Sequence, residues 1–358
     1  MPISSRTLAL YDKVGQNEHV SIKGSSVEGR PTRRDVAQLA GVSGTTVSRI
    51  LGGRPDESVS AKARDKVLEA ARQLGYTPNS AAKALRSGRS GLVGFWMCLE
   101  YSLYRSRVLA EMRNVLADTQ FALAVNDVDQ DYAWHHSLDR ALRVPAEGII
   151  AFEPAGAGDG LAAMNVNLPF VSMGAFWFES RSYVAVDLQS GAEDAVEHLL
   201  QTGRTKIAHV VPKGTWFVVE GQRYDGYHRK MEEAGLPPWI IEIDDHPDRR
   251  IESLIDQLSV EPRPDALFCF YDDIAIDAVE ALLQMNLTPG QEVAVVGCNG
   301  QAELARGPYP ISTVRQPIEE MCRTAYQFLQ NQMNDPAAPP EKVVLKPELV
   351  VRRTSERV

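Results

Sequence analysis

The chain is poor in the residues that build metal centres and disulfide frameworks, with four cysteines and seven histidines among 358 residues. Cys98, Cys269, Cys298 and Cys322 are scattered without metal-ligand spacing, so all four are expected to be reduced and mostly buried. Long apolar runs are missing as well. The longest, Leu92 to Leu99, falls far short of the roughly 20 residues that span a bilayer. The opening residues lack the basic start, apolar stretch and cleavage site of an export signal, which predicts a cytoplasmic protein with no membrane partner. Catalytic signatures are also absent. Gly156, Gly158 and Gly160 hint at a nucleotide loop, but GxGxxG needs glycine where Leu161 stands. Asp127, Asp129 and Asp131 imitate the start of a calcium loop, yet its turn glycine is Tyr132 and its closing glutamate is Leu138. His135 and His136 have no further ligand at metal spacing, and no serine sits in a GxSxG elbow. No metal, no cofactor and no enzymatic activity are expected.

What remains is an ordinary globular composition, 44% apolar and 24% charged, at a length that implies two or three domains. The net charge of −9 would argue against a polyanionic partner, but it is unevenly spread. Residues 31 to 90 hold eleven Lys or Arg against five Asp or Glu; residues 1 to 30 are nearly neutral, and 91 to 358 carry all of the acidic excess. A small basic module ahead of a large acidic body is the asymmetry expected when one part touches a polyanion and the other does not.

Residues 1 to 30 show no hydrophobic period and read as a disordered tail. From Thr32 the pattern changes. Thr32 with Asp35 resembles a capping box, and Val36, Leu39 and Ala40 recur at helical spacing up to a stop at Gly41. Ser43 is placed to cap a second helix through Val47, Ile50 and Leu51, ending at Gly52 and Gly53. Ser60 is placed to cap a third, Ala61 to Leu74, with Val67, Leu68 and Ala71 on one face and Gly75 as its stop. Beyond Gly88, strand candidates alternate with amphipathic stretches. The strands are Leu92–Met97, Phe121–Val125, Gly148–Phe152, Phe170–Met173, Lys206–Val211, Ile240–Ile243, Ala266–Phe270 and Glu292–Val296; the helices are Arg107–Ala117, Ala192–Gln201, Gln222–Ala234, Arg249–Leu258, Ile274–Gln284 and Ile318–Gln332. That order calls for parallel sheets covered by helices on both faces, in two doubly wound lobes.

The segment TRRDVAQLAGVSGTTVSRIL, 32 to 51, has the mechanics of a helix-turn-helix. Its first helix braces on the DNA backbone and its second offers Ser43, Gly44, Thr45, Thr46, Ser48 and Arg49 to the major groove. Hydroxyls suit phosphates, and an arginine fork suits guanine O6 and N7. Short helix pairs also occur in proteins that never meet DNA.

This segment, followed by VSAKARDKVLEAARQLGYTPNSAAKALRSGRSGLVGF, resembles the headpiece and hinge of the lactose-repressor (LacI/GalR) family of bacterial transcription regulators. The likeness continues through VDLQSGAEDAVEHLLQTGRTKIAHV, GQRYDGYHRKMEEAGL, ALFCFYDDIAIDAVEALLQMNLTPGQEVAVVG and PISTVRQPIEEM. It implies an all-α helix-turn-helix headpiece, 31–78, and a hinge helix with linker, 79–90. An α/β periplasmic-binding-protein-like core follows over 91–358, its N-lobe about 91–187 and 314–332 and its C-lobe about 188–313 and 333–358. By the same resemblance, Asn79, Ala82, Lys83 and Leu85 lie on the hinge helix that enters the minor groove, with Leu85 the wedging leucine. A helix that short is marginal alone and orders only when packed.

Ligands of such sheets sit beyond the carboxyl ends of the strands, where Phe176, Trp177 and Trp216 cluster. Aromatic faces suit a sugar ring. The resemblance adds Arg223 and Asp272 as effector-binding groups. One departure matters: relatives commonly show an aromatic and aspartates where this chain has Cys298, Asn299 and Gly300, so an amide at Asn299 replaces an obligate acceptor. That points to a ligand bearing an acid group or an altered ring. The expected protein is a homodimeric regulator, a repressor before an activator, that binds a near-palindromic double-stranded operator under control of a carbohydrate-like small molecule. The closing VVRRTSERV has no heptad run, which favours a dimer over a coiled-coil tetramer. The rivals are an exported solute receptor and a Rossmann-like enzyme.

Overall fold

The computed structural model describes residues 31–51, 59–77, 89–99, 102–128, 140–153, 168–175, 179–213 and 222–356. The chain divides into two compact units, 1–83 and 84–358.

Among the described residues of the first unit three helices run, Arg33–Ala40 (α1), Gly44–Leu51 (α2) and Ala61–Leu74 (α3). Each begins at the residue whose side chain was expected to stop the backbone from fraying. The Asp35 carboxylate accepts from the Thr32 amide at 2.7 Å and from its hydroxyl at 2.8 Å, closing the first turn of α1. Gly41 leaves α1 in the left-handed region at φ 66°, and Val42 N–H returns to Ala37 O, which turns the chain within three residues into α2. Ser60 caps α3 by accepting from the Ala63 amide. Val36, Val47, Val67, Ile50, Ala40 and Ala70 close the core. Two residues depart from expectation: Leu39 and Leu68 are 48% and 49% exposed. On α3 the inward stripe is Val67, Ala70 and Ala71, because three close-packed helices leave room for alanine rather than leucine.

The described residues of the second unit form two six-stranded sheets. The first contains Leu92–Met97 (β1), Ala122–Asp127 (β2), Gly148–Phe152 (β3), Phe170–Gly174 (β4) and Ser182–Val186 (β5), with helix α4, Leu103–Leu116, between β1 and β2. The second contains Ile207–Pro212 (β6), Trp239–Ile243 (β7), Ala266–Cys269 (β8), Ala294–Asn299 (β9) and Ser312–Arg315 (β10). Helices Leu188–Gln201 (α5), Arg223–Glu233 (α6), Arg250–Leu258 (α7) and Asp272–Gln284 (α8) interleave with it. The chain returns to the first sheet through Ile318–Asn334 (α9) and Lys342–Leu345 (β11), then ends on the second with Glu348–Val350 (β12). The orders are β11-β5-β4-β3-β1-β2 and β12-β10-β9-β8-β6-β7, parallel throughout except for antiparallel β12. Strands β3, β4, β5, β6, β8 and β9 are buried along their whole length and are mainly apolar, interrupted by buried Ser172, Ser182, His209 and Asn299.

Two boundaries fall elsewhere than expected: Val314 and Arg315, assigned to the N-lobe, pair with Cys298 and Asn299 in the second sheet. Residues 333–358 were assigned whole to the C-lobe, but Lys342–Leu345 pairs with Tyr183–Val186 in the first sheet and only Glu348–Val350 returns to the second. Strands β5, β10, β11 and β12 were not foreseen. The last three are four residues or fewer, and their polar residues or alternating exposure carry little apolar signal.

Candidate DNA interface and ligand cleft

On α2, Val47 and Ile50 face the core. The opposite face is that of Thr45 and Arg49, both exposed, with Gly44 and Ser48 along one edge and Thr46 on the other. Ser43 is exposed but occupied: its hydroxyl accepts from the Thr46 amide at 3.1 Å and shares a hydrogen bond with the Thr46 hydroxyl at 2.9 Å. Ser43 and Thr46 thus spend their hydroxyls as a cap. Ser48 is also engaged, accepting from Arg33 Nη1 at 2.7 Å. Sequence reasoning gave no role to Arg33, although the space beside Gly44 was a signal that could have been used. The hinge residues Asn79, Ala82, Lys83 and Leu85 lie outside the described residues.

In the second unit, polar groups converge where β9 ends and α6 and α8 begin. Arg223, the first residue of α6, is 6% exposed; its Nε donates to Cys298 Sγ at 3.3 Å and its guanidinium lies 4.6 Å from the Phe270 ring centroid. Asp272 is fully buried, and its oxygens accept from the Thr313 hydroxyl at 2.6 Å and the Gln301 amide at 2.7 Å. Burial pushes its pKa up to about 6, against those hydrogen bonds. Arg223 and Asp272 therefore form no ion pair with each other: each engages other partners. Asn299, at φ 133°, accepts from Gln316 Nε2 at 2.9 Å, and Gln316 in turn accepts from Tyr104 O–H at 2.8 Å. Phe176, Trp177 and Trp216, with neighbouring Phe178 and Phe217, lie outside the described residues.

The groups that sequence reasoning missed come from the first sheet and the crossings. Arg107 on α4 donates to Gly300 O at 2.8 Å and pairs with Glu319 at 2.9 Å; Gln222 donates to Ala175 O beyond β4. Glu153, just past β3, holds a strained φ of 47°; burial raises its pKa while Arg223 opposes the rise. Gly174 makes its space, since a Cβ there would come within 2.7 Å of Glu153 Cγ. Gln222 and Gln301 each keep a buried side-chain oxygen without a partner. This arrangement, lined by donors and acceptors from both lobes, can bind a small polar molecule. None of the four cysteines is in a disulfide, and all four are buried. Among the described residues no cluster of His, Cys, Asp or Glu could hold a metal, and no helix is long and apolar enough to cross a membrane.

Residues 32–79 match the family described as "Bacterial regulatory proteins, lacI family", over the span that holds the helix pair. That segment is a lacI-family DNA-binding domain. Residues 196–355 match "Periplasmic binding protein-like domain". It is 26% identical over 333 residues to the HTH-type transcriptional repressor PurR of Actinobacillus pleuropneumoniae serotype 3, covering 90% of this chain and 98% of that protein. It is 28% identical to the ribose operon repressor of Halalkalibacterium halodurans, covering 91% and 97%. A lac repressor dimer bound to operator and the anti-inducer ONPF shares the fold, with TM-score 0.76, 24% identity and coverage of 91% and 99%. A complex of the transcriptional regulator CelR with cellobiose matches at TM-score 0.65 and 25% identity, covering 91% and 100%.

Proposed function

We propose that the protein is a homodimeric, cytoplasmic repressor whose affinity for a near-palindromic operator is set by a sugar or sugar-derived molecule held between the two lobes. The observation that carries this reading is the helix pair: a capped α1, a left-handed Gly41 and a capped α2 whose polar side projects outward, within the residues that match the lacI family. Thr45 and Arg49 are its groove-facing side chains, with Ser43, Thr46 and Ser48 shaping the helix entry. Gly44 leaves the interface close to the backbone. Residues 31–78 act as headpiece and 79–90 as hinge, where Asn79, Ala82, Lys83 and Leu85 take the minor groove; 91–358 act as the sensing core.

In the core, Arg223 is the donor to the effector and Asn299 a mixed donor and acceptor. Asp272 holds the turn that carries Asn299 and Gln301, and Phe176, Trp177 and Trp216 offer ring faces. Effector binding acts by favouring one angle between the lobes, and can shift operator affinity only by its difference in affinity for the two forms. In this reading the protein acts by binding and not as an enzyme.

The test is selection of duplexes from a random pool with the full-length protein, followed by titration at rising salt. A selected inverted repeat, bound with a steep negative salt slope, is expected. A protein with no preference over random competitor, with and without candidate metabolites, is a solute receptor or something else.

A further inference from the structure

Arg33 opens α1, yet its side chain lies along α2. Its Nη1 donates to Ser48 Oγ at 2.7 Å, and its Nε is 3.7 Å from the point where Gly44 would carry a Cβ. Gly44 and Ser48, four residues apart, form one edge of α2, next to the outward face of Thr45 and Arg49. The guanidinium thus fills the room left by the glycine on the N-terminal half of the helix, the half that meets base edges in this kind of motif. Arg33 is itself exposed, and Ser48 takes only one of its five N–H donors. None of the ion pairs between described residues involves it.

We propose that Arg33 is a base-reading residue that contacts guanine in the operator, supplying from α1 the readout that Gly44 cannot supply from α2. Ser48 is then its positioning residue and not a DNA contact. A planar fork held at one end by a hydroxyl is pre-organised, so less rotamer freedom is lost on docking than for an arginine waving from the surface. Guanine is the base whose O6 and N7 match that fork. A bulky side chain at Gly44 would occupy the same room and displace the guanidinium. The two positions are thereby coupled, although they belong to different helices.

This inference rests on the operator reading above, and its test keeps the two apart. Full-length wild type, Arg33→Ala, Arg33→Lys and Gly44→Gln are each taken through the same duplex selection and then titrated on single-base variants of the wild-type site. Arg33→Ala is expected to lose roughly tenfold or more in preference at one guanine per half-site, with preference elsewhere kept. Arg33→Lys keeps the charge but not the fork, so it loses the same preference while holding the salt slope. Gly44→Gln alters that same base pair, and combining it with Arg33→Ala adds no further loss there. Uniform weakening on every duplex with a salt slope shallower by about one makes Arg33 a phosphate contact and overturns the proposal. So does an Arg33→Ala protein with unchanged preference. A wild type that selects no duplex overturns the operator reading and this inference with it.

Discussion

The helical unit and the ligand cleft of the second unit are built on opposite plans. In the helices nearly every polar contact closes within three or four residues: Thr32 with Asp35, Ser43 with Thr46, Ser60 with Ala63. In the cleft, partners are far apart in sequence: Asp272 with Thr313, Arg107 with Gly300, Tyr104 with Gln316. The first plan leaves its polar groups exposed, so they are free to trade water for DNA. The second buries them, so each must be matched inside the protein or by a ligand. The contrast suits a surface that must meet a long partner quickly and a pocket that must discriminate a small one.

That comparison breaks most sharply at the headpiece core. Val47→Asp places a carboxylate at a fully buried position and is expected to abolish duplex binding at a cost of about 4 kcal/mol or more, with the second unit still melting as in wild type by calorimetry. Loss of both transitions would show that the units do not fold independently.

A smaller effect, with a pH signature, belongs to His209. It is fully buried on β6, its Nδ1 is 2.8 Å from Phe268 O, and its other nitrogen has no partner. Burial lowers its pKa to about 4. As pH falls below the ordinary histidine value near 6.5, the unfolded chain takes up a proton that the folded chain refuses until about 4. Stability is therefore lost across that window, by about 3 kcal/mol in all. Asp272 works in the opposite sense. Its raised pKa makes the folded form hold a proton longer, so stability falls as pH rises from the ordinary aspartate value toward about 6. In His209→Asn the acid-side loss should flatten, leaving the Asp272 trend, as read by denaturant unfolding from pH 4 to 7.

Next in size is Arg223→Met, which keeps the apolar stem and removes the charged donor. It is expected to weaken the effector by about 2 kcal/mol, roughly thirtyfold, measured by titration of the small molecule that shifts operator binding in wild type. Unaltered affinity would place the effector elsewhere. Ser60→Ala removes the cap of α3 for about 1 kcal/mol, read as a lowered melting point of the helical unit. The smallest change is Leu68→Gln, expected to stay within about 0.5 kcal/mol because that leucine is half exposed. A loss of 2 kcal/mol there would mean that Leu68 is covered in the working molecule.

The helix pair was legible because its signals are local. A capping residue, a glycine at the turn and a helical apolar period specify α1, Gly41 and α2 without reference to any distant residue. The parallel strands were legible for the related reason that burial on both faces demands continuous apolar runs, as in Gly148–Phe152. Short strands at the crossings gave no such signal. Lys342–Leu345 alternates exposure at a sheet edge, and its membership in the first sheet is set by pairing with β5, some 160 positions earlier. The leucines were misjudged from the same source: helical spacing places Leu39 and Leu68 near an apolar stripe, but which face turns inward depends on how closely three helices pack.

The helix pair, the longer parallel strands and the outward polar side of α2 were thus written in the sequence, since each depends on residue types at short and regular spacing. Tertiary structure alone decided that Ser48 serves Arg33, that Asp272 is spent on Thr313 and Gln301, and that the charge of Arg223 acts on buried Glu153. Such pairings follow from where folded elements come to rest. A hydrogen bond reports the distance between two atoms in space, and sequence separation carries no measure of that distance once the chain has crossed between lobes.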